Sequence, residues 1–170
     1  DWILDSCQGS VDWVRRLQEN ESELKPMHDQ AMHAMYECLY YVHKINSQSL
    51  QVGTKEAVPS MPPALVKLME HAKDRNQTLY VLQAWQKLLR DLGVSLAQSR
   101  WISDYLAQYF SEAGEWILTL DSRIPLEIAD LCVSFEQDVI ANVDRTLLFE
   151  NFWYSCRRLK FSNVIHEVLR

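Results

Sequence analysis

One long segment with helical periodicity constrains this chain more than any other feature. In residues 96–120, large apolar side chains recur at the three- and four-residue spacing of one helical face, for about five turns. The members of this stripe are Trp101, Ile102, Tyr105, Leu106, Tyr109, Phe110, Trp116, Ile117 and Leu120. Ser95 and Gln98 have the spacing of a capping box, so the pattern predicts one continuous helix from about Leu96 to Leu120. Because so much aromatic surface must be covered, we expect the other helices to surround this one.

The rest of the chain also favours helices. Helical periodicity and capping residues predict further helices at 11–18, 26–49, 62–73, 76–92, 126–142 and 144–160, with Gly93 ending the fourth. No segment has the sustained alternation of a strand, and 4 Gly and 5 Pro are too few for a turn-rich β fold. We therefore predict an all-α fold, a compact bundle of about seven helices, with a helical-hairpin (HEAT-like) array as the alternative arrangement.

Length and composition indicate a single domain that spans residues 1–170. Apolar residues make up 48% of the chain and charged residues 24%, which is typical of globular proteins. No apolar run approaches the ~20 residues of a membrane span. Residues 50–61, with Gly53 and Pro59, are the predicted flexible loop. Since the chain lacks an initiating Met and stops within an amphipathic pattern, we expect it to be part of a longer polypeptide.

Charge and cysteine usage bear on partners and compartment. The net charge of −6 argues against nucleic acid as a partner, because phosphate binding needs a clustered positive surface. The chain has four cysteines, Cys7, Cys38, Cys132 and Cys156, which lack metal-binding spacing. Three of them lie on apolar helical faces: Cys38, Cys132 and Cys156. This pattern favours reduced, buried thiols and an intracellular protein. The sequons at Asn20 and Asn76, together with an even cysteine count, leave a secreted helical cytokine as the alternative.

The sequence offers little support for a cofactor or metal. The glycines are too scattered for a phosphate-binding loop, and no HExxH motif is present. Asp29, His33 and Glu37 share one helical face, so a metal site is geometrically conceivable. The same spacing is what the solvated face of an amphipathic helix requires. We therefore predict no metal and no cofactor.

Nucleophilic catalysis is also poorly supported. Cys156 and His166 are the nearest thiol–imidazole pair, but a thiol on an apolar helical face resists ionisation. The sequence thus predicts a protein that is not an enzyme. An enzyme whose site is assembled from side chains on several helices stays the alternative.

Residues 149–161 combine aromatic and basic side chains. Trp, Tyr and Arg dominate protein-binding hot spots, which favours Trp153, Arg157, Arg158 and Lys160 as contact residues, together with Trp13 near a polar segment. In the structural alternative, the aromatic residues fill the core and the cations complement the helix C-terminus. We predict a protein–protein interaction domain, an adaptor or scaffold that binds a partner helix or peptide. The partner would be another protein or the remainder of the same polypeptide.

Overall fold

Helices account for nearly all of the regular structure in this chain. The computed structural model describes residues 21–48, 60–111 and 114–159, and within these ranges no residue lies in a strand. The elements are α1 Glu21–Gln48, α2 Pro63–His71, α3 Arg75–Ala97, α4 Asp104–Tyr109, a 3-10 helix Glu115–Thr119, α5 Arg123–Ile140 and α6 Arg145–Arg158. The all-α prediction is confirmed. The predicted helix at 11–18 and residues 50–59 of the predicted loop lie outside the described residues.

Side-chain caps define the starts of several helices. The Asp144 carboxylate accepts hydrogen bonds from the backbone N–H groups of Thr146 and Leu147, so α6 begins where the sequence predicts. At the start of α3, Asp74 and Gln77 form a reciprocal capping box. The sequence predicted that this helix begins with Asn76 as its cap. That prediction is wrong by two positions, because Asn76 already lies inside the first turn of α3.

Gly93 does not end α3, as the sequence predicted, but lies inside it at the closest contact with α5. A Cβ at this position would lie 2.7 Å from Leu126 Cγ and Cδ2, so any larger residue here requires the Leu126 side chain to shift. Earlier in α3, Gln86 donates a hydrogen bond to Glu136 at 2.6 Å. Because the earlier residue of α3 meets the later residue of α5, the two helices are antiparallel. Their contact is the most extensive between any two described elements.

The prediction of one helix across residues 96–120 is wrong. Ser99 has a positive φ of 52°. The Ser99 N–H donates a hydrogen bond to the Leu96 carbonyl, and the Arg100 N–H donates one to the Ser95 carbonyl. This pair of bonds is a Schellman motif, and it ends α3. Ser95 therefore lies within α3 and does not cap a new helix, whereas Ser103 accepts a hydrogen bond from Leu106 N–H and caps α4.

The apolar residues of this segment still face the core, although the backbone is broken. Leu106, Phe110, Ile117 and Leu120 are buried, from α4 and the 3-10 helix. Gly114, with a φ of 73°, lies directly before the 3-10 helix. The periodic pattern correctly indicates these four buried side chains, but it also includes Ile102, which is 40% exposed. It did not indicate that the chain turns between them.

The described helices share one hydrophobic core, and its centre is not the 96–120 segment. Trp85 of α3 is fully buried, donates a hydrogen bond from Nε1 to the Ala31 carbonyl at 2.7 Å, and stacks on Phe152. Phe149 meets the same indole edge-on. The core is therefore built mainly by α1, α3, α5 and α6. None of the described helices is both long enough and apolar enough to span a bilayer.

Candidate functional site

The predicted contact residues on α6 divide between core and surface. Trp153 is only 1% exposed and packs edge-on against Tyr41, so it presents no surface to a partner. Its placement agrees with the structural alternative, in which the aromatic residues of α6 fill the core. Arg157 lies over the buried indole, 6.0 Å from the ring centroid. Lys160 and Trp13 lie outside the described residues.

α6 does expose one aromatic–cation pair. Tyr154 is 59% exposed, and the Arg158 guanidinium lies over its ring at 5.7 Å. Sequence reasoning named Arg158 but missed Tyr154, which follows the buried Trp153 and points about 100° away from it around the helix. This pair forms a convex surface on one helix.

The polar residues considered for a metal site serve local roles. Asp29 pairs with Lys25 at 3.2 Å, and Glu37 accepts a hydrogen bond from the backbone N–H of Ala64 at 2.8 Å. The Glu37 carboxylate thereby satisfies a donor at the start of α2, and it lies 3.7 Å from His33 Nε2. Within the described ranges, no group of three His, Cys, Asp or Glu side chains could hold a metal ion.

The buried histidine of α1 is held by two tyrosines. His28 Nδ1 lies 2.8 Å from the Tyr80 hydroxyl, and its Nε2 lies 3.4 Å from the Tyr105 hydroxyl. Tyr105 stacks on Tyr109, whose pKa is raised by burial and by its neighbours Tyr105, Tyr36 and Asp29. Both imidazole nitrogens therefore make internal contacts that fasten α4 to α1 and α3.

The described cysteines are buried thiols. Cys38, Cys132 and Cys156 are free and fully buried, and burial raises the pKa of each well above its ordinary value. Each thiol also lies close enough to another of the three to disfavour its ionisation. Cys156 is therefore a poor nucleophile, and its proposed partner His166 lies outside the described residues.

We expect these thiols to react slowly in the native protein. In a Cys7→Ser variant, a colorimetric thiol reagent should detect no fast-reacting group before denaturation, and three thiols in urea without reductant. Rapid reaction of any thiol in the native variant would contradict this burial. Denatured wild-type protein should titrate all four cysteines, whereas two disulfides, as in the cytokine alternative, would leave none.

A cleft opens where α3 ends. It has a volume of about 350 Å³ and is lined by Ser95, Leu96, Ser99, Arg100, Trp101 and Leu118. We call this feature the Trp101 cleft. The Schellman turn at Ser99 shapes one wall, and the buried hydroxyl of Ser95 accepts a hydrogen bond from Ile102 N–H at 3.2 Å, which fixes the chain after the turn.

Aromatic contacts hold the other side of the cleft. Trp101 is half-buried and stacks on the buried Phe110, with the two rings nearly parallel. Trp116 anchors the 3-10 helix against Tyr36, Tyr40 and His43 of α1, at centroid distances of 5.5 Å. Burial lowers the pKa of His43 from its ordinary value, which favours the neutral ring in this aromatic contact. Leu118, two residues after Trp116 in the 3-10 helix, lines the cleft and is exposed to solvent.

The cleft combines apolar walls with one charge. Leu118 is 64% exposed, the largest fraction among the exposed large apolar side chains of the described chain. Ile102, beside Trp101, is 40% exposed. Among the described residues that line the cleft, Arg100 is the one that carries a charge. Sequence reasoning placed Leu96 and Trp101 in a continuous core helix, and a serine at the αL position gives no clear signal of a turn, so the cleft was missed.

Comparison with known proteins does not add a function. No protein-family model, curated protein or solved structure matches this chain. The Trp101 cleft and the Tyr154–Arg158 pair are therefore the two surface features on which a function can be argued.

Proposed function

We propose that this protein acts by binding a segment of another protein in the Trp101 cleft. The observation that carries the proposal is a concave apolar site on the surface, with Trp101 on its wall and Leu118 exposed at its edge. Protein interfaces are centred on such anchors, in which aromatic and apolar side chains exclude water from the contact.

The size of the cleft suits one or two anchoring side chains. Its volume of about 350 Å³ is at the small end of the range for ligand sites, roughly 300–1,000 Å³. A short helix or extended peptide that inserts one large apolar residue would cover Leu118 and the exposed edge of Trp101. Burial of that surface supplies the driving force for binding.

The cleft is a better candidate than α6 because of its shape. The Tyr154–Arg158 pair projects from a single helix, so a partner would have to supply the pocket. The Trp101 cleft supplies its own pocket from α3, the following turn and the 3-10 helix. The sequence expectation of an interface on α6 is thus kept as the second location for the same function.

The proposed role is that of an adaptor or scaffold, without catalysis. The described thiols are buried, and His28 has both ring nitrogens engaged with tyrosines. Such groups are unsuited to attack a substrate or to exchange protons with it. An intracellular location is part of the proposal, supported by free thiols at all three described cysteines.

The first test replaces Leu118 with aspartate and compares capture of protein partners from extract. Because Leu118 is 64% exposed, the change should leave the fold intact and abolish binding by placing a charge in an apolar contact. Leu147→Asp on α6 is the matched control, since Leu147 is 54% exposed but lies away from the cleft. Circular dichroism would verify that both variants fold.

The expected result is a discrete protein partner that the wild type and Leu147→Asp capture and Leu118→Asp does not. A partner lost instead with Arg157→Glu/Arg158→Glu would keep the binding function and move the interface to α6. Equal capture by all variants would contradict a role for either surface.

A further inference from the structure

We propose that the partner segment is acidic, and that it pairs a carboxylate with Arg100 while an adjacent large apolar side chain enters the Trp101 cleft. This inference rests on the proposed function and names the chemistry of the partner. Its basis is the charge and position of Arg100 relative to the apolar walls.

The backbone and side chain of Arg100 are held in place at the cleft. Its N–H donates a hydrogen bond to the Ser95 carbonyl at 3.0 Å, as part of the Schellman turn. Its Nε donates a second bond to Gln98 Oε1 at 3.1 Å. These bonds leave the two terminal guanidinium nitrogens for a ligand, in the fork geometry that matches a carboxylate.

Arg100 is one of several described cations without a salt bridge, such as Arg75 and Arg90, and it is the one of these that lines the cleft. Lys25 pairs with Asp29 and Lys87 pairs with Asp91, each across one helical turn. Among the described residues, no carboxylate pairs with Arg100 within salt-bridge distance. A positive charge beside an apolar cleft favours an acidic partner and repels a basic one, so it confers specificity.

The location of Arg100 on the surface determines how the charge should act. Arg100 is exposed, and charges at the edge of an interface mainly accelerate association and weaken with added salt. The apolar contact with Trp101 and Leu118 should instead set the dissociation rate. The two parts of the cleft can therefore be separated in one kinetic experiment.

The test selects binders from a displayed library of random dodecapeptides, using the full chain as bait and removing peptides that also bind Leu118→Asp. We expect the enriched peptides to share an Asp or Glu within one helical turn of a large apolar residue. One enriched peptide is then synthesised, and its binding to three variants is measured by surface plasmon resonance. Arg100→Glu should weaken binding about tenfold or more, mainly through association, and Arg100→Lys should retain most of the affinity.

Arg75→Glu is the matched control, because it changes the net charge equally at an exposed position at the start of α3, the opposite end of that helix from the cleft. We expect it to leave the affinity nearly unchanged, and we expect the wild-type affinity, but not that of Arg100→Glu, to fall in about 0.5 M salt. Equal weakening by the two reversals would overturn the inference, since only net charge would then matter. Enrichment of neutral or basic peptides, or of none, would also overturn it.

These results are independent of the test of the proposed function. Enrichment of neutral peptides whose binding requires Leu118 would support a protein-binding cleft and would contradict the inference of an acidic partner. Loss of Leu118 dependence in the capture experiment would reject the cleft whatever peptides the library yields.

Discussion

Replacing Trp85 with alanine is expected to remove most of the stability of this protein. The indole is fully buried between α1, α3 and α6, stacked on Phe152 and met edge-on by Phe149. Loss of a large buried aromatic side chain costs about 3–5 kcal/mol, and the Ala31 carbonyl would lose its hydrogen bond from Nε1 as well. Domains are stable by only about 5–15 kcal/mol. The urea midpoint of the variant should therefore lie at a much lower urea concentration than that of the wild type, or the variant should show no folding transition.

Two controls separate the parts of this effect. Trp85→Phe keeps an aromatic ring in the core but removes the Nε1 donor and part of the indole. We therefore expect a smaller loss in the free energy of unfolding, about 1–3 kcal/mol. Trp101→Ala removes a half-buried tryptophan at the cleft and should cost less than Trp85→Ala, because less surface returns to water. Equal destabilisation by Trp85→Ala and Trp101→Ala would contradict the assigned core.

The second large effect is expected at Gly93. Valine there would place a branched Cβ only 2.7 Å from Leu126 Cγ and Cδ2, which is closer than van der Waals contact allows. The Ser122 carbonyl oxygen, at 3.3 Å, limits movement in the other direction. Overpacking of this kind costs roughly 1–3 kcal/mol, and we expect Gly93→Val to fall in the upper part of that range. The urea midpoint, measured with its m-value, tests this directly.

A double-mutant cycle identifies the source of the clash. In a Leu126→Ala background, Gly93→Ala meets no leucine side chain, so the better helix propensity of alanine should raise stability by up to about 1 kcal/mol. In the wild-type background the same substitution should gain less, because Leu126 must move away. An equal gain in both backgrounds, or an unchanged midpoint for Gly93→Val, would show that α3 and α5 do not meet at this glycine.

Some helix starts could be predicted from the sequence because their signals are local, although α1 begins at Glu21 and α5 at Arg123, ahead of the predicted 26 and 126. Asp144 caps α6 as expected, and Pro63 begins α2. Helix ends were harder. Gly93 matches the usual signal for a C-terminal stop, but a close contact with Leu126 uses the missing side chain for packing instead. α3 ends instead at Ala97, before a turn in which Ser99, a residue type that rarely adopts positive φ, has a φ of 52°.

The candidate site could not be predicted either, because it forms where α3 ends and the sequence does not show that end. A helical stripe reports which residues face the core, and Leu106, Phe110, Ile117 and Leu120 are buried as that stripe indicates. It does not report whether the backbone between them is continuous. The turn at Ser99 ends the helix, and Trp101 and Leu118 line the cleft beside it.

On α6, the spacing of aromatic residues could be predicted but not their individual exposure. Trp153 and Tyr154 are neighbours in sequence and point about 100° apart around the helix, so packing of the helix on the core buries one and exposes the other. The cation over each ring follows from the spacing of four residues to Arg157 and Arg158.

The most direct test of the central claim is photo-crosslinking in cells, with a benzophenone amino acid at position 118 and, separately, at position 147. Both positions are exposed, but only position 118 borders the Trp101 cleft. We predict a discrete adduct with another protein from position 118 and none of the same mass from position 147. No adduct from position 118, or identical adducts from both positions, would contradict the claim that this cleft is the protein-binding site.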